Sequence, residues 1–341
     1  MPTRPRRLPG VPVILSDVLA ILLAACSSGA TTTMAPPTAP STAPTAAATP
    51  SATPAAFPVT LTDDEGAAVD LAEAPSKIVS LTPATTEILF QLGVGTKVVA
   101  TDDGSDYPDA ATGLPHVASF DKVDVEKVVA LEPDLVIAGG LGFTPADAIT
   151  KLRSLKVPVL VVYAKSVDGV YQDIELLGKA TGATEAATTL TTSMRTDMQA
   201  VSAAASAGDT KPRVYYEVGY DDTTGAIYAP ADQSFVAEMV TLAGAEAITT
   251  GDPNSYQIPL ETLIQKDPQI IVIGTNPFYS PTPASLMQRP GWSAMTAVKD
   301  KAVKSVRDIE ITRPGPRLPI GLRTLVAAIR PDVSLPPAPS P

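Results

Sequence analysis

VEKVVALEPDLVIAGG, residues 125–140, returns 135 positions later as LETLIQKDPQIIVIGT, residues 260–275. In each copy a glutamate, Glu126 or Glu261, opens a short run with apolar residues at helical spacing: Val125, Val128 and Val129 in one, Leu260, Leu263 and Ile264 in the other. Both runs stop at an acidic residue before proline, Glu132-Pro133 and Asp267-Pro268, because the residue before a proline is pushed out of the α region. A continuous apolar stretch follows and ends in glycine, Gly139 or Gly274, which is the pattern of a strand buried on both faces. A fainter echo pairs ATTEILFQLG (84–93) with FVAEMVTLAG (235–244), each with a glutamate six residues before a helix-ending glycine. One helix–proline–strand unit would look this way in any α/β protein, but two pairs in the same order predict two lobes of similar plan.

Around these copies, apolar runs alternate with helical patterns, which favours an α/β architecture. Candidate strands are 77–81, 98–101, 135–138 and 159–163 in one half, and 213–218, 270–273 and 302–306 in the other. Between the halves, 166–207 is rich in Ala, Leu, Met and Gln and reads as largely helical, with an interruption near Gly178–Gly182. The expected organisation is therefore an N-terminal lobe at 57–165, a connecting helical segment at 166–207 and a C-terminal lobe at 208–333. SLPPAPSP, 334–341, is expected to be a disordered tail.

The two ends of the chain read differently from its middle. Arg4, Arg6 and Arg7 precede an apolar segment too short to span a bilayer comfortably, the pattern of an export signal occupying 1–26. Its end, Leu23-Ala24-Ala25-Cys26, resembles the bacterial lipobox, in which the cysteine thiol receives diacylglycerol; Asp17 inside the apolar run departs from that pattern. Cys26 is the single cysteine, so no intramolecular disulfide is possible. Residues 27–56 are almost entirely Ala, Thr, Pro and Ser, a disordered tether with a reach of about 30 Å. The expected location is extracytoplasmic, lipid-anchored at the outer face of the membrane.

The formal net charge of −11 and the absence of a Lys/Arg cluster beyond the first few positions argue against nucleic acid as a partner. A hydrolase triad would have to recruit His116, the single histidine, and the chain has no G-x-S-x-G elbow. One His and one Cys cannot supply the usual zinc ligand set, and GGLG at 139–142 lacks the rest of the dinucleotide-binding glycine pattern. No catalytic residue, resident cofactor or metal ligand is expected, and no oligomerisation signal is legible.

In an α/β sheet, ligands bind beyond the carboxyl ends of the strands, so the loops after the repeated strands are where a site should lie. Those loops carry Phe143, then Phe278 and Tyr279; the strand RVYYEV is followed by Tyr220, and further candidates are Tyr107 and Phe120. Thr82 is positioned to cap a helix that begins at Pro83. Glu126 and Glu261, at the N-termini of helices antiparallel to the following strands, should lie on the cleft side of their lobes, one carboxylate each. Matched acidic points of that kind suit a partner with paired basic residues.

Through VSLTPATTEILFQLGVG, SDYP, VEKVVALEPDLVIA, PRVYYEVG, RPGWSAMTAV and RPGPR, in that order, 75–333 resembles the lipid-anchored substrate-binding proteins of ABC importers for vitamin B12, ferric siderophores and haem. The resemblance implies two α/β lobes with parallel-rich sheets flanked by helices, joined by one long rigid helix within 166–207. It also implies a non-enzymatic partner of a permease and an ATPase, Glu126 and Glu261 as the points that dock on the permease, and Tyr107 and Phe120 as aromatics lining a corrinoid cleft. Where the B12-binding branch can place a tryptophan after the VIA strand, this chain has Gly139, and its only tryptophan, Trp292, reads as a packing residue. A corrinoid is the first ligand choice. A ferric siderophore met by Arg313 and Arg317 is the second, and haem held by His116 or a tyrosine the third. A sensor or adhesin that kept the fold without a transporter is a further class.

Overall fold

The computed structural model describes residues 57–338 except Leu141, Asp209 and Phe278. The expected signal segment, Cys26, the tether and the last three residues lie outside the described residues. In chain order the N-terminal half is built from β1 (Val59–Thr62), β2 (Ala68–Leu71), β3 (Ile78–Ser80), α1 (Pro83–Gln91), β4 (Val98–Asp102), β5 (His116–Ser119), β6 (Lys122–Val123), α2 (Val125–Ala130), β7 (Leu135–Gly139), α3 (Ala146–Ser154) and β8 (Val159–Val162). Two helices follow, α4 (Val167–Thr181) and α5 (Thr184–Ala205). The C-terminal half comprises β9 (Arg213–Glu217), β10 (Gly219–Tyr220), β11 (Ile227–Tyr228), α6 (Phe235–Leu242), β12 (Glu246–Ala247), β13 (Gln257–Ile258), α7 (Leu260–Lys266), β14 (Ile270–Thr275), α8 (Pro283–Met287), α9 (Thr296–Lys299), β15 (Val303–Arg307), α10 (Ile309–Thr312) and α11 (Leu318–Ile329).

The first large sheet has the order β6-β5-β4-β3-β7-β8 and is parallel except for β6 against β5; the second, β12-β9-β14-β15, is parallel throughout. Laid side by side, β4-β3-β7-β8 and β12-β9-β14-β15 have the same plan: each half's first strand lies between its second and third. The repeated sequences supply equivalent parts, α2 and β7 in one half and α7 and β14 in the other. The fold is a two-lobed α/β architecture with the long α5 between the lobes.

Side-chain alternation along each strand divides the interior into three layers. Leu135 and Ile137 of β7, Leu160 of β8, Val214 and Tyr216 of β9, and Val272 of β14 all enter one central cluster with Ile174 of α4, Met194 of α5 and Leu322 of α11. The intervening Val136, Ala138, Val159 and Val161 face outward, under Val128 of α2 and Ile149 and Leu152 of α3. Tyr215, Ile271 and Ile273 do the same in the second half, against Leu263 of α7 and Trp292, which is the packing residue its sequence context suggested.

Within 166–207 lie two helices that break where the glycines suggested, and the longer, α5, is the long connecting helix that the resemblance implies. α4 ends at Gly182 (φ +78°), whose amide donates to the carbonyls of Gly178 and Lys179, and the left-handed cap turns the chain before α5 begins. α5 is the long member, 22 residues, or about 33 Å at 1.5 Å per residue. The two helices meet at Gly178, where an added Cβ would lie 2.4 Å from Ala187 Cβ. Val333 and, within the expected tail, Leu335 pack on the central core, and the Arg323 guanidinium donates to the Pro336 carbonyl at 2.6 Å and the Pro337 carbonyl at 3.2 Å.

Gly178→Ala should destabilise the fold by about 1–3 kcal/mol, the overpacking penalty outweighing the better helix propensity of alanine. Equilibrium urea unfolding checks this; a variant as stable as the parent would mean that α4 and α5 can separate freely at this point.

Candidate functional site

The carboxyl ends of β3, β7 and β14 open on a cavity of about 770 Å³, lined from one half by residues that include Thr82, Thr85, Asp106, Phe120, Phe143 and Tyr163, and from the other by residues that include Asn276, Asp308 and Arg313. Its position obeys the general rule for open parallel sheets: the crevice forms where chain connections diverge to opposite sides of the first strand. Thr82 caps α1 as LTP suggested. Its backbone is extended (φ −145°), its hydroxyl accepts the Thr85 amide at 3.4 Å, and Pro83 occupies the first turn. Beneath the cap, Ser80, Thr85, Thr86, Ser105 and Asp102 form a buried chain of hydrogen bonds. Burial raises the Asp102 carboxyl above its ordinary value, against the bonds donated by Ser105 and the Gly104 amide.

Three aromatic rings make the apolar wall. Phe143 stacks on Tyr163 at 5.3 Å between centroids and meets Phe120 edge-on at 6.4 Å; Phe120 is 75% exposed. Gly139 makes the loop possible, since a Cβ there would lie 2.7 Å from Thr82 Cγ2 and 2.8 Å from Phe143 Cβ. The aromatic that the chain lacks directly after this strand is thus supplied four residues later. Tyr163 was not singled out from the sequence because it ends an ordinary buried strand, and nothing local marks it as facing a cleft.

The remaining aromatic candidates sit elsewhere. Tyr107 is 44% exposed and carries the Arg317 guanidinium over its ring at 4.4 Å; it adjoins the lining residue Asp106 but is not itself among those that line the cavity. Tyr220 and Tyr279 are likewise absent from the lining and belong to a cluster around the buried ion pair Glu217–Arg289. The Tyr279 hydroxyl donates to Glu217 Oε1 at 2.6 Å, and the Arg289 guanidinium lies 3.7 Å from the Tyr220 ring centroid and 4.7 Å from that of Trp292. Burial, then the Glu217 carboxylate, holds the Tyr279 hydroxyl well above its ordinary value. Phe278 lies outside the described residues. His116 is exposed at the start of β5 and does not line the cavity.

Charge around the cavity is mostly negative. Among the described residues, Asp103, Asp106 and Asp308 line it against one cation, Arg313, while a fourth aspartate, Asp173, is buried and pushed toward its neutral form. Arg313 is already engaged: one nitrogen donates to Glu87 Oε1 at 2.7 Å and to Asp106 Oδ1 at 2.8 Å. Arg317 holds the same glutamate through two bonds, 2.8 and 2.6 Å, and reaches Glu310 at 2.9 Å. Glu87, 3% exposed, is a buried carboxylate shared by two guanidinium groups, which raise each other's need for it and join α1 to the segment before α11. Burial opposes ionisation of Asp106, but the bond and charge of Arg313 outweigh it and hold that carboxyl below its ordinary value. The expectation of Arg313 and Arg317 as free receptors for an anionic chelate therefore meets two side chains whose charge is already matched. Among the described residues, no group of three His, Cys, Asp or Glu could hold a metal ion.

Glu126 and Glu261 occupy equivalent places, in the first turns of α2 and α7. Both are exposed, and among the described residues neither is ion-paired.

Two lobes of one plan, meeting at an aromatic cleft, define a ligand-binding protein of the transport class. The periplasmic binding protein family model matches residues 78–309, and the chain belongs to that family. It is 34% identical to the uncharacterized ABC transporter substrate-binding lipoprotein YvrC of Bacillus subtilis over 80% of this chain and 86% of that one. It is 29% identical to a vitamin B12-binding protein of Yersinia pestis over 59% of this chain and 70% of that one. A periplasmic heme-binding protein from Pseudomonas aeruginosa superposes with a TM-score of 0.67 at 26% identity, covering 77% of this chain and 96% of that one. As in that family generally, the chain is an extracytoplasmic binding component rather than an enzyme, and it works with ABC permease and ATPase subunits.

Glu87→Gln removes the carboxylate that the two guanidinium groups share, leaving Arg313 to Asp106 and Arg317 to Glu310, and should cost about 1–3 kcal/mol of stability. Urea unfolding reads it, and a loss below about 1 kcal/mol would show that the clasp contributes little.

Proposed function

We propose that the chain captures a metal chelate, a corrinoid before the alternatives, in the cleft and passes it to a permease while held at the membrane by lipid on Cys26. The observation that carries the choice of ligand is the charge of the cavity: three aspartates besides the buried Asp173, and one guanidinium that is already paired. A corrinoid is fringed by uncharged amides and offers a broad apolar face to Phe120, Phe143 and Tyr163. Haem brings two carboxylates, and a ferric tris-catecholate is a multiply charged anion through its catecholate oxygens; this wall would repel both. The volume of about 770 Å³ lies toward the upper end of the range for small-molecule sites. The vitamin B12-binding relative supports the same reading. A ferric hydroxamate of positive charge is the second choice, because the negative wall suits it as well.

Calorimetric titration of the full-length chain should show saturable binding of cyanocobalamin and none of haemin at equal concentration; the reverse order defeats the ligand assignment. Phe143→Ala should raise Kd about tenfold, the equivalent of ~1.4 kcal/mol of lost stacking and burial.

Glu126 and Glu261, exposed and equivalent in the two halves, are the proposed contacts with basic residues of the permease. Reversing both to arginine should abolish uptake in whole cells while cyanocobalamin affinity stays unchanged. Normal uptake by the double variant would remove the docking role.

A further inference from the structure

Among the described residues, the most buried aspartate of the cavity lining has no cation paired with it. Asp173, in the second turn of α4, is 6% exposed and lines the cavity with Val162, Tyr163 and Ala164. The Asp64 carboxyl, in the turn between β1 and β2, lies near enough to oppose ionisation of Asp173. Asp64 is on the solvent side and accepts the Tyr163 amide at 2.5 Å. Of two neighbouring carboxyls the more buried one takes up a proton more readily, because charge there loses more solvation. Burial first, then the charge of Asp64, push Asp173 up to about 8.

Of the other charged groups on and around α4, Lys165 and Lys179 are exposed to solvent, and the following have partners of their own. Arg195 of α5 binds Asp168 at 2.6 Å and covers the Tyr171 ring, and Glu238 of α6 accepts the Val167 amide at 2.8 Å. Glu175 accepts from Thr191 of α5, Asp63 beside Asp64 is paired with Arg153 at 2.6 Å, and Glu87 of α1 is taken by Arg313 and Arg317. Tyr163 stays neutral at moderate pH, because burial raises its hydroxyl, as does Tyr256.

We propose that Asp173 selects ligands by charge: in its protonated form it is an uncharged acid that an uncharged, amide-fringed chelate can cover, and loss of that proton weakens binding. This rests on the corrinoid reading of the site. A ligand that fills the cleft strips water from Asp173, which is tolerable for the neutral acid and costly for an anion without a cation. Binding thus favours the protonated form, and by linkage affinity must fall as pH climbs past the point where the free protein gives up the proton.

Cyanocobalamin is the probe, titrated into the full-length chain from about pH 6 to about pH 9.5. The parent should hold a constant Kd up to roughly pH 7 and then weaken, by up to about tenfold per pH unit above about 8. Asp173→Asn, neutral at every pH, should bind with a Kd that stays flat from the acid to the alkaline end. An infrared carboxylic-acid C=O band present at neutral pH in the parent should be missing in that variant, a readout that needs no ligand. A flat profile in the parent, an unchanged profile in Asp173→Asn, or no difference in that band overturns the selector while leaving the corrinoid reading intact. Absence of cyanocobalamin binding at every pH overturns both.

Discussion

A parallel sheet has no face that can be left to water, and this requirement shapes the whole molecule. Each strand sends alternate side chains to opposite faces, so β7 and β14 need cover twice over. Their outer faces are closed locally, by α2 and α3 in one half and by α7 and the Trp292 segment in the other. Their inner faces are closed together, in one core shared with α4, α5 and α11. The carboxyl ends of the strands, with their glycine-bearing loops, then meet at a common cleft.

Electrostatics refine what that cleft can hold. Glu87 draws Arg313 and Arg317 into a buried clasp between the halves, and in doing so removes the only strong positive charge from the ligand wall. A second buried pair, Glu217–Arg289, gathers Tyr220, Tyr279 and Trp292 into a support beside the cleft. What is left facing the cavity is aromatic on one side and acidic around the rim. Under the proposed function, the same side chains that hold the lobes in place also bias the site toward uncharged or cationic chelates.

Much of this was legible in the sequence, because it depends on local order. Two helix–proline–strand units in matching positions signalled two halves of one plan, and the strand order agrees at β7 and β14. LTP announced its own cap, and the GGLGF loop pointed to Phe143. Residues whose role depends on a distant partner were not legible. Tyr163 looks like any buried strand end, and Asp173 like a solvent-facing carboxylate in a helix. Arg313 looks free until Glu87, 226 positions away, is placed beside it. The two helices of 166–207 were half visible: the glycines showed where the chain breaks, but not that α4 would fold back onto α5.

Hydrophobic period, proline stops and glycine turns were enough to determine the class of fold and the loops from which a site would be built, since each acts within a few residues of itself. Only the tertiary structure decided which of those loops share a cavity, which charges are spent on one another and which carboxyl is left without a cation. Those outcomes depend on burial and on pairings across the whole chain, and a side chain's charge has no fixed meaning until its neighbours have either matched it or left it facing the cleft.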